Sequence, residues 1–173
     1  MTIKERFSFA TLTIAAAVFL QAGFAIIPLG RSDPSARVLA VGWKKLAQQL
    51  DDVRERSNIP AFATLDYTTT GWLTFYLRSR APVVQLNERI RWVDAPQPAP
   101  ELLSGPLLYV CKDSCPYVED LKRSFEVVEP LETFVRQRNG LAIGTYSAYR
   151  LERPFGPVLD AVYPPMNMGN RND

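Results

Sequence analysis

The sequence predicts an α/β protein: an N-terminal transmembrane helix followed by a small domain built on a mixed sheet and closed by a C-terminal antiparallel hairpin. Three observations predict it. The run from Phe7 to Gly30 is 24 residues without a charge, and about 20 apolar residues span a bilayer's hydrocarbon. The stretch from Ala61 to Leu86 reads strand, helix, strand, which makes a parallel pair because a helix lies in the crossover. Asn139-Gly140 stands between two strand-like arms, and Asn-Gly is a strong hairpin signal because both central residues of the tight turn take positive φ.

Taken in order, Lys4, Glu5 and Arg6 precede the uncharged run. A cleaved signal peptide is the rival reading, but the run exceeds the roughly 7–15 apolar residues of such a signal. Both readings put the rest of the chain outside the cytoplasm: a bacterial inner-membrane protein, single-pass, with its bulk periplasmic. The division is residues 1–30 as anchor, 31–157 as the extracytoplasmic α/β domain and 158–173 as a disordered tail. Trp43, Leu46, Ala47, Leu50 and Val53 recur at helical spacing, ended by Ser57-Asn58-Ile59-Pro60, and this stripe is expected to pack on the sheet.

The short apolar run that opens at Ala61, bounded by Pro60, reads as a buried strand. The chain breaks at Asp66-Tyr67, and Thr-rich residues then offer caps for a helix carrying Trp72, Leu73, Tyr76 and Leu77 on one face. Arg78 and Arg80 fall in its expected last turn, and Ala81-Pro82 stops it. Pro82 to Leu86 is strand-like again. Asp94 to Pro100 is a proline-rich loop. Pro106 to Val110 makes a third strand, Cys111 to Cys115 a turn, and Pro116 suits the first position of another helix with Val118, Leu121 and Phe125 inside. Phe125–Gln137 and Leu141–Leu151 are the hairpin arms, and Pro130 bends the first or keeps it at an edge.

Composition excludes several functions. The chain of 173 residues has no histidine, which removes histidine triads and nearly all zinc sites, and two cysteines cannot hold a structural metal. A formal charge of +2 with scattered basic residues gives no nucleic-acid footprint. No glycine-rich phosphate loop and no Asp-x-Asp pair is present, so no cofactor, no metal and no catalytic residue is assigned.

In open α/β sheets ligands bind beyond the C-terminal ends of the strands, where the topology switches. Asp66 and Tyr67 after the first strand, Asn87 after the second, and Lys112 with Asp113 after the third form a candidate binding rim there. The competing reading is that Asp66 caps the next helix and Tyr67 packs against it. Cys111 and Cys115 flank three residues, and a structural disulfide, free thiols or a redox role all stay open. A thioredoxin-type site needs two intervening residues.

Gly42-Trp43, Leu65-Asp66-Tyr67 and Gly71-Trp72-Leu73-Thr74-Phe75-Tyr76-Leu77 together resemble the C-terminal extracytoplasmic domain of bacterial polytopic glycosyltransferases, the protein O-mannosyltransferases and the aminoarabinose transferases of lipid A. Gly140 to Gly156 is compatible with it. The resemblance implies transfer of a sugar from a polyprenyl-phosphate donor, with the membrane and the enzyme's membrane-helix core as partners. The family's catalytic acid lies in an early loop that this chain lacks. The expectation is therefore a soluble domain of such an enzyme, or an accessory relative of it, inactive on its own. The alternative is a single-pass binding or assembly module without chemistry.

Overall fold

The computed structural model describes residues 3–33, 39–87, 92 and 95–159, with side chains from residue 10 onward. Of the expected tail, residues 160–173 lie outside the described residues, as does Asp94 of the proline-rich loop. The chain begins with a long helix, α1 (Ile3–Phe24), and a short 3-10 turn, Gly30–Ser32. Helix α2 (Trp43–Arg56), strand β1 (Ala61–Thr64), helix α3 (Tyr67–Tyr76) and strand β2 (Val83–Gln85) follow. The second half is α4 (Pro100–Ser104), β3 (Leu107–Lys112), α5 (Val118–Ser124), β4 (Phe125–Arg138) and β5 (Leu141–Pro154).

The five strands form one mixed sheet in the order β2-β1-β3-β5-β4. β1 pairs in parallel with β2 on one side and β3 on the other, as the strand–helix–strand pattern requires. β5 runs antiparallel to both β3 and β4. Asn139 and Gly140, at φ 49° and 79°, make the turn between β4 and β5. Pro130 cannot donate to the ladder, and the register shifts between it and Glu132.

Helices cover both faces. On one, Trp43, Leu46, Leu50 and Val53 of α2 and Leu73 of α3 bury themselves against Phe62, Leu108, Val110, Phe134 and Tyr146. On the other, Leu121 and Phe125 pack with Ala61, Leu107, Tyr109, Cys111 and Leu151. The α2 stripe therefore lies on the sheet, where its spacing placed it. Two helix ends differ from expectation. α3 stops at Tyr76 because Leu77 turns extended, so Arg78 and Arg80 lie beyond it. α5 starts at Val118, because Cys115 is left-handed (φ 49°) and Val118 N–H bonds back to its carbonyl, leaving Pro116 in the preceding turn.

The N-terminal transmembrane helix is corrected. Among the described residues no helix is long and apolar enough to cross a membrane. Helical geometry ends at Phe24, and Ala25 takes φ 49°, so the apolar run expected to continue to Gly30 is divided. With Lys4, Glu5 and Arg6 in its first turn, α1 retains about 18 uncharged residues, or ~27 Å at 1.5 Å each. A hydrocarbon core is ~30 Å thick. The helix stops there because its last carbonyls are taken by the domain. Arg138 donates to the carbonyls of Gln21 and Ala22, and Asn139 to that of Phe24. The Gln21 side chain folds over and bonds both N–H and C=O of Ile27.

Candidate functional site

The order β2-β1-β3 puts the topological switch at β1, so the crevice of interest lies beyond the C-terminal ends of β1 and β3. The sheet carries all five rim residues to that end, in two groups. Asp66, Tyr67 and Asn87 gather around a buried polar cluster. Asp66 is the N-cap of α3, and its Oδ1 accepts the Thr69 N–H at 2.7 Å. Thr70 donates its hydroxyl to the Asp66 carbonyl at 2.8 Å and lies 2.6 Å from the Thr64 hydroxyl. The Gln85 amide accepts from the Trp92 indole at 3.0 Å and donates to Asn87 Oδ1 at 3.3 Å. Tyr67 is 54% exposed, its ring centroid 5.7 Å from that of Trp92.

Lys112 and Asp113 form the second group, and they are stitched to β5. Asp113 is left-handed (φ 55°), its N–H donates to the Thr145 carbonyl at 2.8 Å, and Lys112 Nζ lies 3.7 Å from its carboxylate. Cys111 and Cys115, bridged with Cα atoms 5.3 Å apart, close this loop from beneath. Both are buried, and the Cys111 sulfur packs on the Ser147 carbonyl at 3.6 Å. A bridge sealed in this way holds the loop and presents no sulfur to an exchanging thiol.

Between the groups sits an aromatic and cationic cluster in which Trp43 and Trp72 are joined by Arg136, the member the sequence reading did not single out. Arg136, buried, lies 5.5 Å from the Trp43 ring and 6.0 Å from that of Tyr146. Trp43 meets Tyr146 edge-on at 5.0 Å and Trp72 at 6.4 Å. Gly42 permits the approach: at φ 77° it is left-handed, and a Cβ there would stand 2.7 Å from the Gln137 carbonyl and 2.9 Å from Arg136 Cγ. Burial pushes the Tyr146 hydroxyl up to about 12, with Asp66 and Asp113 adding and Arg136 opposing. Tyr109, buried on the opposite face, is raised by burial and then by Asp66. The legible signal was the alternation Phe134, Arg136, Arg138, which places two arginines on the inward side of a strand.

Each of the five rim residues makes a contact within the fold, and Asp66 caps α3, the reading that competed with a site; Asp66, Tyr67, Lys112 and Asp113 stay exposed at the end of the sheet. A hollow of about 520 Å³ lies elsewhere, between α2 and β4, lined by Gln49, Asp52, Glu55, Arg56, Glu132 and Phe134. Across it runs the exposed Arg56–Glu132 ion pair at 3.1 Å. Among the described residues no group of three acidic or cysteine side chains is placed to hold a metal. Comparison with protein-family models, with curated proteins and with solved structures finds no match for this chain.

Proposed function

We propose that this chain is a non-catalytic extracytoplasmic accessory domain that docks through α1 onto the apolar helices of a membrane-embedded glycosyltransferase using polyprenyl-phosphate-linked sugars. The observation that carries this reading is the exposed apolar surface of α1. Leu12, Ile14, Val18, Phe19 and Phe24 point to solvent around the whole circumference, Val18 at 63% and Phe19 at 74% exposure. A helix that is apolar all round belongs inside a larger apolar body. Ala15, Ala16, Ala17, Ala22 and Gly23 let neighbouring helices approach closely, which is how helices associate in an apolar medium.

Two further observations support it. The buried Cys111–Cys115 bridge suits an oxidising compartment outside the cytoplasm. The residues that carry the family resemblance, Gly42-Trp43, Asp66-Tyr67 and Trp72 to Tyr76, support the fold with caps and ring contacts, leaving the chemistry to the partner. The experiment is a photo-activated amino acid at Phe19 of the full chain, expressed in its own cell. The expected product is an adduct with a polytopic glycosyltransferase, absent when the probe replaces exposed Glu119 on α5. Adducts only with lipid, or only with a second copy of this chain, would overturn the reading.

A further inference from the structure

We propose that the turn joining β4 and β5 is an orienting clamp that fixes the direction of α1, with Arg138 as its central positioning residue. The geometry is concentrated at one point. Arg138 is 6% exposed and Asp33 3%, and Arg138 Nη1 donates to Asp33 Oδ2 at 3.0 Å. The same guanidinium's Nη2 reaches the carbonyls of Gln21, at 3.3 Å, and Ala22. One planar fork thus joins the end of α1 to the segment that leads out of it, and it does so where the helix dipole is negative.

The neighbours reinforce the joint. Asn139 donates to the Phe24 carbonyl at 3.3 Å, and the Gln21 amide closes the Ala25–Leu29 turn from its exposed side through both backbone groups of Ile27. Within the 3-10 turn, Arg31 donates to the Thr145 hydroxyl at 2.7 Å. A small cavity of about 90 Å³, lined by Ile27, Pro28, Asp33, Arg138, Leu141 and Ile143, lies behind the ion pair. A helix joined only by Ala25–Leu29 would swing freely, because few apolar side chains tether it. A buried charge pair breaks sharply rather than gradually, since separating it leaves uncompensated charge. The clamp therefore holds α1 in one direction, and a partner that grips α1 receives the domain at a fixed angle.

This use of the clamp rests on the docking role of α1, but the clamp is tested without a partner. Spin labels go on the full chain at Val18→Cys and Lys122→Cys, both exposed, with the native cysteines bridged and so unreactive. Double electron–electron resonance should give one narrow distance distribution in the parent. Arg138→Met should widen it at least twofold. If Arg138→Met does not fold, Gln21→Ala combined with Asn139→Gly, which keeps the positive φ of the turn, removes contacts at the exposed side and should widen it by at least half. A broad distribution in the parent, or a folded variant as narrow as the parent, overturns the clamp. Narrow distances without a transferase adduct from Phe19 overturn the docking reading and leave the clamp standing. Broad distances with the adduct do the reverse.

Discussion

Replacing Trp43 by Ala is the sharpest test of the account of the cluster between the two rim groups. Trp43 is fully buried, touches the rings of Trp72 and Tyr146, and lies under the buried guanidinium of Arg136. Truncating a buried tryptophan costs about 3–5 kcal/mol through lost transfer energy and the cavity left behind. Losing a desolvated cation–π contact adds up to about 2 kcal/mol, because Arg136 then keeps its burial without the ring. The expected loss is thus on the order of 5 kcal/mol, comparable with the whole stability of a marginal domain. Urea unfolding followed by far-UV dichroism, with the disulfide intact, measures it. If the mutant is too unstable, Trp43→Phe crossed with Arg136→Met gives the coupling alone, expected between about 0.5 and 3 kcal/mol. A cost below about 1 kcal/mol for Trp43→Ala, or additivity within ~0.3–0.5 kcal/mol in the cycle, would refute the reasoning.

Three other outcomes follow from the same structure. Asp66→Ala should cost about 1 kcal/mol, the value of a lost N-cap, and Asp66→Asn much less, since Asn also accepts the Thr69 N–H; equal losses in thermal unfolding would show that charge, not capping, matters. Replacing Cys111 and Cys115 together by Ala should cost about 2 kcal/mol by the chain-entropy relation for so short a loop, read as a shift in urea midpoint; an unchanged midpoint would remove the disulfide from the account. Stability should fall as pH rises from about 10 towards 12. The Tyr146 phenol is held neutral in the fold with its titration raised to about 12, so its contribution is complete below its ordinary value near 10 and lost as pH climbs. That contribution is roughly 2–3 kcal/mol, and Tyr146→Phe should flatten the slope between urea midpoints at pH 9 and pH 11.5; a slope parallel to the parent's would refute it.

Local sequence determined the elements whose signals are short-range. Short apolar runs and bounding prolines mark β1, β2 and β3, the 3.6-residue stripe from Trp43 to Val53 marks α2, and Asn139-Gly140 demands the turn it makes. The parallel pairing of β1 with β2 follows from the helix between them, and the Asp66 cap from its place before Thr69. Tertiary structure alone decided the rest, because the deciding contacts join elements from opposite ends of the chain. Pro28 denies the Phe24 carbonyl its helical partner and so limits how far α1 can run, but it does not say what holds the helix end. Arg138 and Asn139 arrive from the far end of the sheet to take its last carbonyls, and so divide an apolar run that hydropathy reads as continuous. Alternation with Phe134 puts Arg136 on the inward side of β4, but it does not say which rings will cover it. Arg136 lies inside because the β4–β5 register and the left-handed Gly42 bring it against Trp43 and Tyr146, and a one-residue slip would turn it out to water.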